Sequence, residues 1–172
     1  MKTSFTILFA FVLLAPVYAW SQLSSSPIPN FTATVLTGEK INSAQLIGRP
    51  TILIVTPSTD AALDTRLWVE ALPTAVDQSR VRIIGVIVID LPFFMSKDDA
   101  ILMAKKKIPM RYQEQTWILT ESNLESAMNI PSSSPKAFVF VLNALGSILT
   151  RVEGKPNNAK LMDIKQALRS IE

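Results

Sequence analysis

Asp60 and Asp64 stand four residues apart, the separation that puts two carboxylates on one face of a helix, where they suit general acid–base chemistry or a hard cation. Ser58 and Thr59, just before them, are nucleophiles by type, but the chain has no His to act as base and no lysine one turn beyond either hydroxyl. It has no Cys either, so disulfides, a thiolate nucleophile and a soft-metal site are excluded. The two acids also have a structural explanation. An Asp at a helix start caps free N–H groups and meets the helix dipole, so Asp60 is expected as a cap and Asp64 as a partner of Arg66 or a nearby lysine. With only 5 Gly and no Gly-rich phosphate loop, no nucleotide site is implied. Lys105, Lys106 and Lys107 could attract an acidic partner or anionic lipid, but they close a segment that opens with Asp98 and Asp99, and that charge order stabilises a helix without any ligand. On these grounds no residue is assigned to catalysis, and no metal or cofactor is expected.

The chain that must position these groups has 172 residues, 48% hydrophobic and 18% charged, which suits one globular domain. Its 17 basic and 14 acidic residues leave +3, too small a surplus to argue for nucleic acid as partner. Lys2, the apolar run Phe5 to Val17 and the small-residue pattern ending at Ala19 predict a secretory signal peptide over 1–19. That run is shorter than the roughly twenty residues a spanning helix needs. No Cys follows the cleavage site, which excludes lipid anchoring there. Val81 to Leu91 is the nearest later candidate for a span, but Arg82 and Asp90 bound it and its composition reads as a buried strand. The expectation is therefore an exported, periplasmic or secreted protein without a transmembrane segment after cleavage, with a linker over 20–30 and one domain over 31–172. Asn30-Phe31-Thr32 fits a glycosylation acceptor pattern, of consequence only in a eukaryotic secretory pathway; Trp20 has no evident role.

Short β-like runs alternate with helical patterns, the mark of an α/β domain. Phe31 to Leu36, the turn Thr37-Gly38-Glu39-Lys40 and Ile41 predict an N-terminal hairpin, followed by a one-turn helix capped by Asn42 or Ser43 and ending at Gly48. Thr51 to Thr56 and Val81 to Asp90 lack polar alternation and are expected as central strands. Between them, Leu63, Leu67, Trp68 and Leu72 give a helical stripe that Pro73 ends or kinks, with Ser58, Thr59 and Asp60 competing as N-cap. Ser96 to Asp99 predicts a capping box. A strand follows over 116–120 and a short helix over 122–128. Ala137 to Leu142 and Ser147 to Val152 form the strongest predicted hairpin, and Leu161, Ile164, Leu168 and Ile171 mark a last helix after Pro156-Asn157-Asn158. Trp68 and Trp117 belong to the expected core.

This order, together with Pro29-Asn30-Phe31, Leu36-Thr37-Gly38 and Leu46-Ile47-Gly48-Arg49-Pro50 ahead of a β-branched strand, resembles the thioredoxin-like superfamily in its redoxin and peroxiredoxin branch. Asn42-Ser43-Ala44-Gln45-Leu46-Ile47-Gly48 is also similar to the YtfJ-type periplasmic proteins. The resemblance implies a three-layer α/β sandwich: a central mixed sheet, a C-terminal antiparallel hairpin and flanking helices. Ser134-Pro135 before the hairpin looks like the superfamily's cis-proline segment. Pro57-Ser58-Thr59-Asp60 is similar to the thiol peroxidase loop, but the position of the peroxidatic Cys falls on Asp64. A carboxylate cannot pass through sulfenic acid or a disulfide, so thiol peroxidase, reductase and isomerase activities are expected to be absent.

What the resemblance leaves is a groove between Thr56, Pro57, Ser58, Thr59 and Asp60 on one side and Ser134 and Pro135 on the other, where an extended peptide can add as a strand without any cysteine. The leading expectation is a binding module for a protein, peptide or small ligand, its partner unidentified. A thiol-independent enzyme using Asp60, Asp64 or Asp90, and an inert subunit of an envelope complex, are the competing expectations.

Overall fold

Residues 26–120 and 124–171 are described by a computed structural model. The expected signal peptide, Trp20, the linker up to residue 25 and the first residues of the helix expected over 122–128 lie outside them. Ser26 to Ile28, the described end of the linker, runs beside the turn of the C-terminal hairpin: Pro27 bridges Ser147, and the Ile28 N–H donates to the Gly146 carbonyl at 2.9 Å.

The continuous β-branched run becomes β3 (Thr51–Thr56), buried at every position, as a strand covered on both faces must be. It lies parallel to β4 (Arg82–Val88) and antiparallel to β6 (Phe138–Leu142). β4 pairs in parallel with β5 (Thr116–Leu119), and β6 pairs with β7 (Ile148–Glu153) as the predicted hairpin. β1 (Thr32–Val35) and β2 (Lys40–Asn42) form the N-terminal hairpin and extend the sheet through β5. The strand order is β2-β1-β5-β4-β3-β6-β7. Asn42 caps the one-turn 3-10 helix Ser43–Leu46, as expected.

Alternation along the strands divides the core. Ile52, Ile54, Val139 and Val141 face Trp68 and Leu72 of α1 (Ala62–Ala75) and Ile164 of α5 (Asn158–Arg169). Leu53, Val55, Phe138 and Phe140 face the other way, against Leu124 of α4 (Leu124–Ala127), Met128, Ile130, Trp117 and the N-terminal Phe31 and Leu46. Arg151 fastens that second layer: its guanidinium lies 4.7 Å from the Phe138 ring and donates to the Met128 and Asn129 carbonyls, each at 3.2 Å. The expected α/β architecture, a mixed sheet between helices, is the one observed.

Two local expectations are corrected and one is narrowed. Pro73, expected to end or kink α1, lies inside it, two residues before its end at Ala75. Leu63 does not join the inward stripe. It is exposed, and the stripe is Asp64, Trp68 and Leu72, one turn apart each. None of Ser58, Thr59 and Asp60 caps α1 through its side chain: a 3-10 turn over Thr59–Ala61 precedes the helix, whose N-cap is Ala61. The box at the start of α2 (Lys97–Lys107) forms as predicted, with Ser96 and Asp99 bonded reciprocally. A single turn, α3 (Met110–Gln113), leads from it to β5.

Candidate functional site

β3 and β6 are antiparallel neighbours, so the loop leaving β3 and the segment entering β6 meet at one end of the sheet. Seven residues were expected to form a groove there. Thr56 and Pro57 are buried, and Thr56 Oγ1 shares a 2.7 Å hydrogen bond with Thr65 Oγ1 of α1. Ser58 Oγ donates to the Ser134 carbonyl at 2.7 Å, joining the two sides directly. Ser134 is buried, and its own Oγ accepts from the Lys136 N–H at 3.3 Å. Only Thr59, Asp60 and Pro135 are exposed. No cis peptide bond occurs among the described residues, so the Ser134–Pro135 bond is trans and the likeness to a cis-proline segment is one of sequence only.

Just beyond Pro135 lies an open cleft of about 540 Å³, lined by Asp64, Pro135, Lys136, Glu153, Gly154, Lys155 and Lys160. α1 brings Asp64 into it, and α1 is held there by Trp68, fully buried one turn on, whose indole N–H donates to the Gly154 carbonyl at 2.7 Å. Asp64 is 6% exposed. It does not pair with Arg66, which bonds Glu70 at 2.9 Å on the outer face of the helix. Instead its Oδ2 accepts from the Ala137 N–H at 3.4 Å. Gly154 holds a left-handed φ of +73°, which favours glycine at the corner between β7 and α5; a Cβ there would lie 3.7 Å from Lys160 Nζ and 3.8 Å from Asp64 Oδ2. The Lys136 ammonium, 2.9 Å from Glu153, holds that carboxyl below the usual carboxylate range. Lys160 Nζ donates to the Lys155 carbonyl at 2.8 Å.

The cleft therefore carries three ammonium groups against two carboxylates, one already paired and one at the cleft's inner wall. Such a wall can receive an anionic or mixed-charge ligand through side chains. Of the seven residues expected to form the groove, Pro135 alone lines it, and Asp64, singled out from sequence as a candidate carboxylate, lines it too. Lys136, Glu153, Lys155 and Lys160 were missed, because three lysines from separate elements have no linear pattern. Asp60 and Asp90 are exposed while Asp64 turns inward, so the spacing of Asp60 and Asp64 does not put them in one environment. Among the described residues no group of acids is arranged to hold a metal ion.

No protein-family model matches the chain, and no curated protein matches it in sequence. Solved structures do. A candidate electron transfer protein from Aquifex aeolicus VF5 superposes with a TM-score of 0.63 at 15% identity, over 85% of this chain and 94% of that one. A candidate thiol:disulfide interchange protein DsbE from Chlorobium tepidum gives 0.60 at 12% identity, over 86% and 96%. The fold is thioredoxin-like. Yeast mitochondrial 1-Cys peroxiredoxin, at 0.56 and 18% identity over 85% and 76%, shares it too. What sets this thioredoxin-like chain apart from a thiol enzyme is composition: its sequence has no Cys.

Proposed function

We propose that this is an exported thioredoxin-fold protein, periplasmic or secreted, that binds a protein, a peptide or a small ligand and has no thiol redox activity. The binding site is the end of the sheet bearing Thr56 to Asp60, Ser134 and Pro135, extended into the cleft beyond Pro135. The observation that carries this reading is Asp64. At the position that resembles the peroxidatic Cys of thiol peroxidases, the chain has a carboxylate that is turned into the wall of an open, lysine-lined cleft rather than into solvent. Strand addition along Ser134 and Pro135 requires displacing Ser58, because Ser58 already occupies the Ser134 carbonyl. Recognition therefore falls chiefly to the side chains around Pro135.

The test is capture from an envelope fraction by immobilised wild type, Pro135→Ala and Lys155→Glu/Lys160→Glu. The specific bound material is expected to fall with both variants, most with the charge reversal. Identical capture by all three removes this end of the molecule from the argument. Insulin reduction or hydroperoxide consumption by the purified chain would overturn the redox part.

A further inference from the structure

The loop between β4 and α2 carries Phe93, fully exposed, and Phe94, 74% exposed, their rings in edge-to-face contact with each other at 5.3 Å. Exposed apolar side chains recur on the helix that follows. Within α2 only Ala100 is buried, while Leu102 and Met103 point outward, as does Met110 one turn beyond its end. An exposed pair of aromatic rings, with further exposed apolar side chains close by in the sequence, marks an interaction surface. Charge says what sort. From Phe93 to Arg111 the sequence has five cations, Lys97, Lys105, Lys106, Lys107 and Arg111, and two anions, so the chain's entire surplus of three positive charges falls in this stretch. Asp99, one of the two anions, is engaged in the capping box. None of the five cations makes an ion pair among the described residues.

We infer that Phe93, Phe94 and the outward face of α2 dock on an anionic lipid surface, the two rings inserting among the acyl chains while the lysines meet the headgroups. Apolar contact by protruding side chains and attraction of flanking lysines to acidic headgroups reinforce each other in peripheral membrane binding. A second copy of the chain would bring the same positive surplus against this surface. The described chain begins beside Gly146, at the hairpin turn, which is the opposite end of the sheet from the β4–α2 loop. The inference does not depend on what the Pro135 cleft binds.

Co-sedimentation of the full chain with vesicles tests it, using phosphatidylcholine alone and phosphatidylcholine with phosphatidylglycerol, each at low and high salt. Any contribution of the N-terminal apolar run is common to every variant. Wild type is expected on the phosphatidylglycerol vesicles at low salt. Binding should weaken by about tenfold or more at high salt, in Phe93→Ser/Phe94→Ser and in Lys105→Gln/Lys106→Gln/Lys107→Gln. Circular dichroism of both variants matching wild type excludes misfolding as the cause. Undiminished binding by the double Phe variant, equal binding to both lipid compositions, or no binding by wild type overturns the inference. Binding to soluble polyglutamate as tight as to the acidic vesicles also overturns it, and reassigns the surface to an acidic protein.

Discussion

The two ends of the central strands are finished differently. At the end where β3 and β4 begin, two guanidinium groups serve backbone carbonyls. Arg82 donates to Gln45 and Leu46 at 2.8 and 2.9 Å, and Arg49 to Gln78 and Ser79 at 2.7 and 2.6 Å, tying the 3-10 turn and the β4 approach to the sheet. The loop that Arg49 grips is itself set by Asp77, which accepts from the Ser79 N–H and Oγ; those bonds hold its carboxyl below the usual range. At the end where the same strands finish, two phenylalanines face solvent, and Glu125 has a buried oxygen without a partner. In open α/β sheets ligands collect at that second end. The contrast argues that one end has been closed for stability and the other left open for contact.

The largest effect should come from undoing the closed end. Burial first, and the Arg49 charge second, lower the Arg82 pKa from its ordinary value, yet the guanidinium stays charged and donates to the Gln45 and Leu46 carbonyls. Arg82→Leu leaves those carbonyls unpaired at a half-buried site and is expected to cost ~2–4 kcal/mol in chemical denaturation. At the open end, Ser58→Ala removes one hydrogen bond to the Ser134 carbonyl and should cost about 1 kcal/mol. It also frees that carbonyl for a ligand, so capture by the variant should rise where the loss of a merely structural bond would leave it unchanged. Equal stability of the two variants would erase the distinction between the ends.

How much of this could be read in the sequence follows the same division. β3 was legible because an unbroken β-branched run admits little but a doubly covered strand, β6 and β7 because a turn at 143–146 divides two apolar runs, and the N-terminal hairpin because Thr37-Gly38-Glu39-Lys40 interrupts an alternating pattern. The capping box of α2 was legible in four residues. Asp64 was not: a carboxylate in a first helical turn is already explained by the dipole, so nothing in its type signals that it faces inward while Leu63 faces out. The cleft was illegible for a different reason. Lys136, Lys155 and Lys160 converge only after the hairpin and α5 have packed on α1, and convergence of that kind leaves no spacing to detect.

Glu125 separates the ends by pH. Desolvation, and then the negative charge of Asp90, raise its pKa above the ordinary 4.5, because both disfavour the ionised form. The folded state therefore holds this proton more firmly than the unfolded chain. The stabilisation is complete below the unfolded pKa and is lost as pH rises through the higher folded value, so at neutral pH the group weighs against folding. Glu125→Gln should raise Tm at pH 7, by an amount worth less than ~1 kcal/mol, and leave it unchanged near pH 4. An equal shift at both pH values would mean that packing, not charge, is what the substitution changes.

The smallest effect is expected where hydrophobic intuition predicts a large one. Truncating a buried phenylalanine costs ~3–5 kcal/mol because transfer energy and a cavity are both lost. Phe93 and Phe94 have neither at stake, since their rings meet each other and solvent. Phe93→Ser/Phe94→Ser should therefore change stability by no more than about 0.5 kcal/mol, while Arg82→Leu, which removes a charge and adds an apolar side chain, costs several times as much. A large loss in the double variant would show that the rings are covered by this chain itself. In that case the open end is closed after all, and the surface assigned to lipid is part of the core.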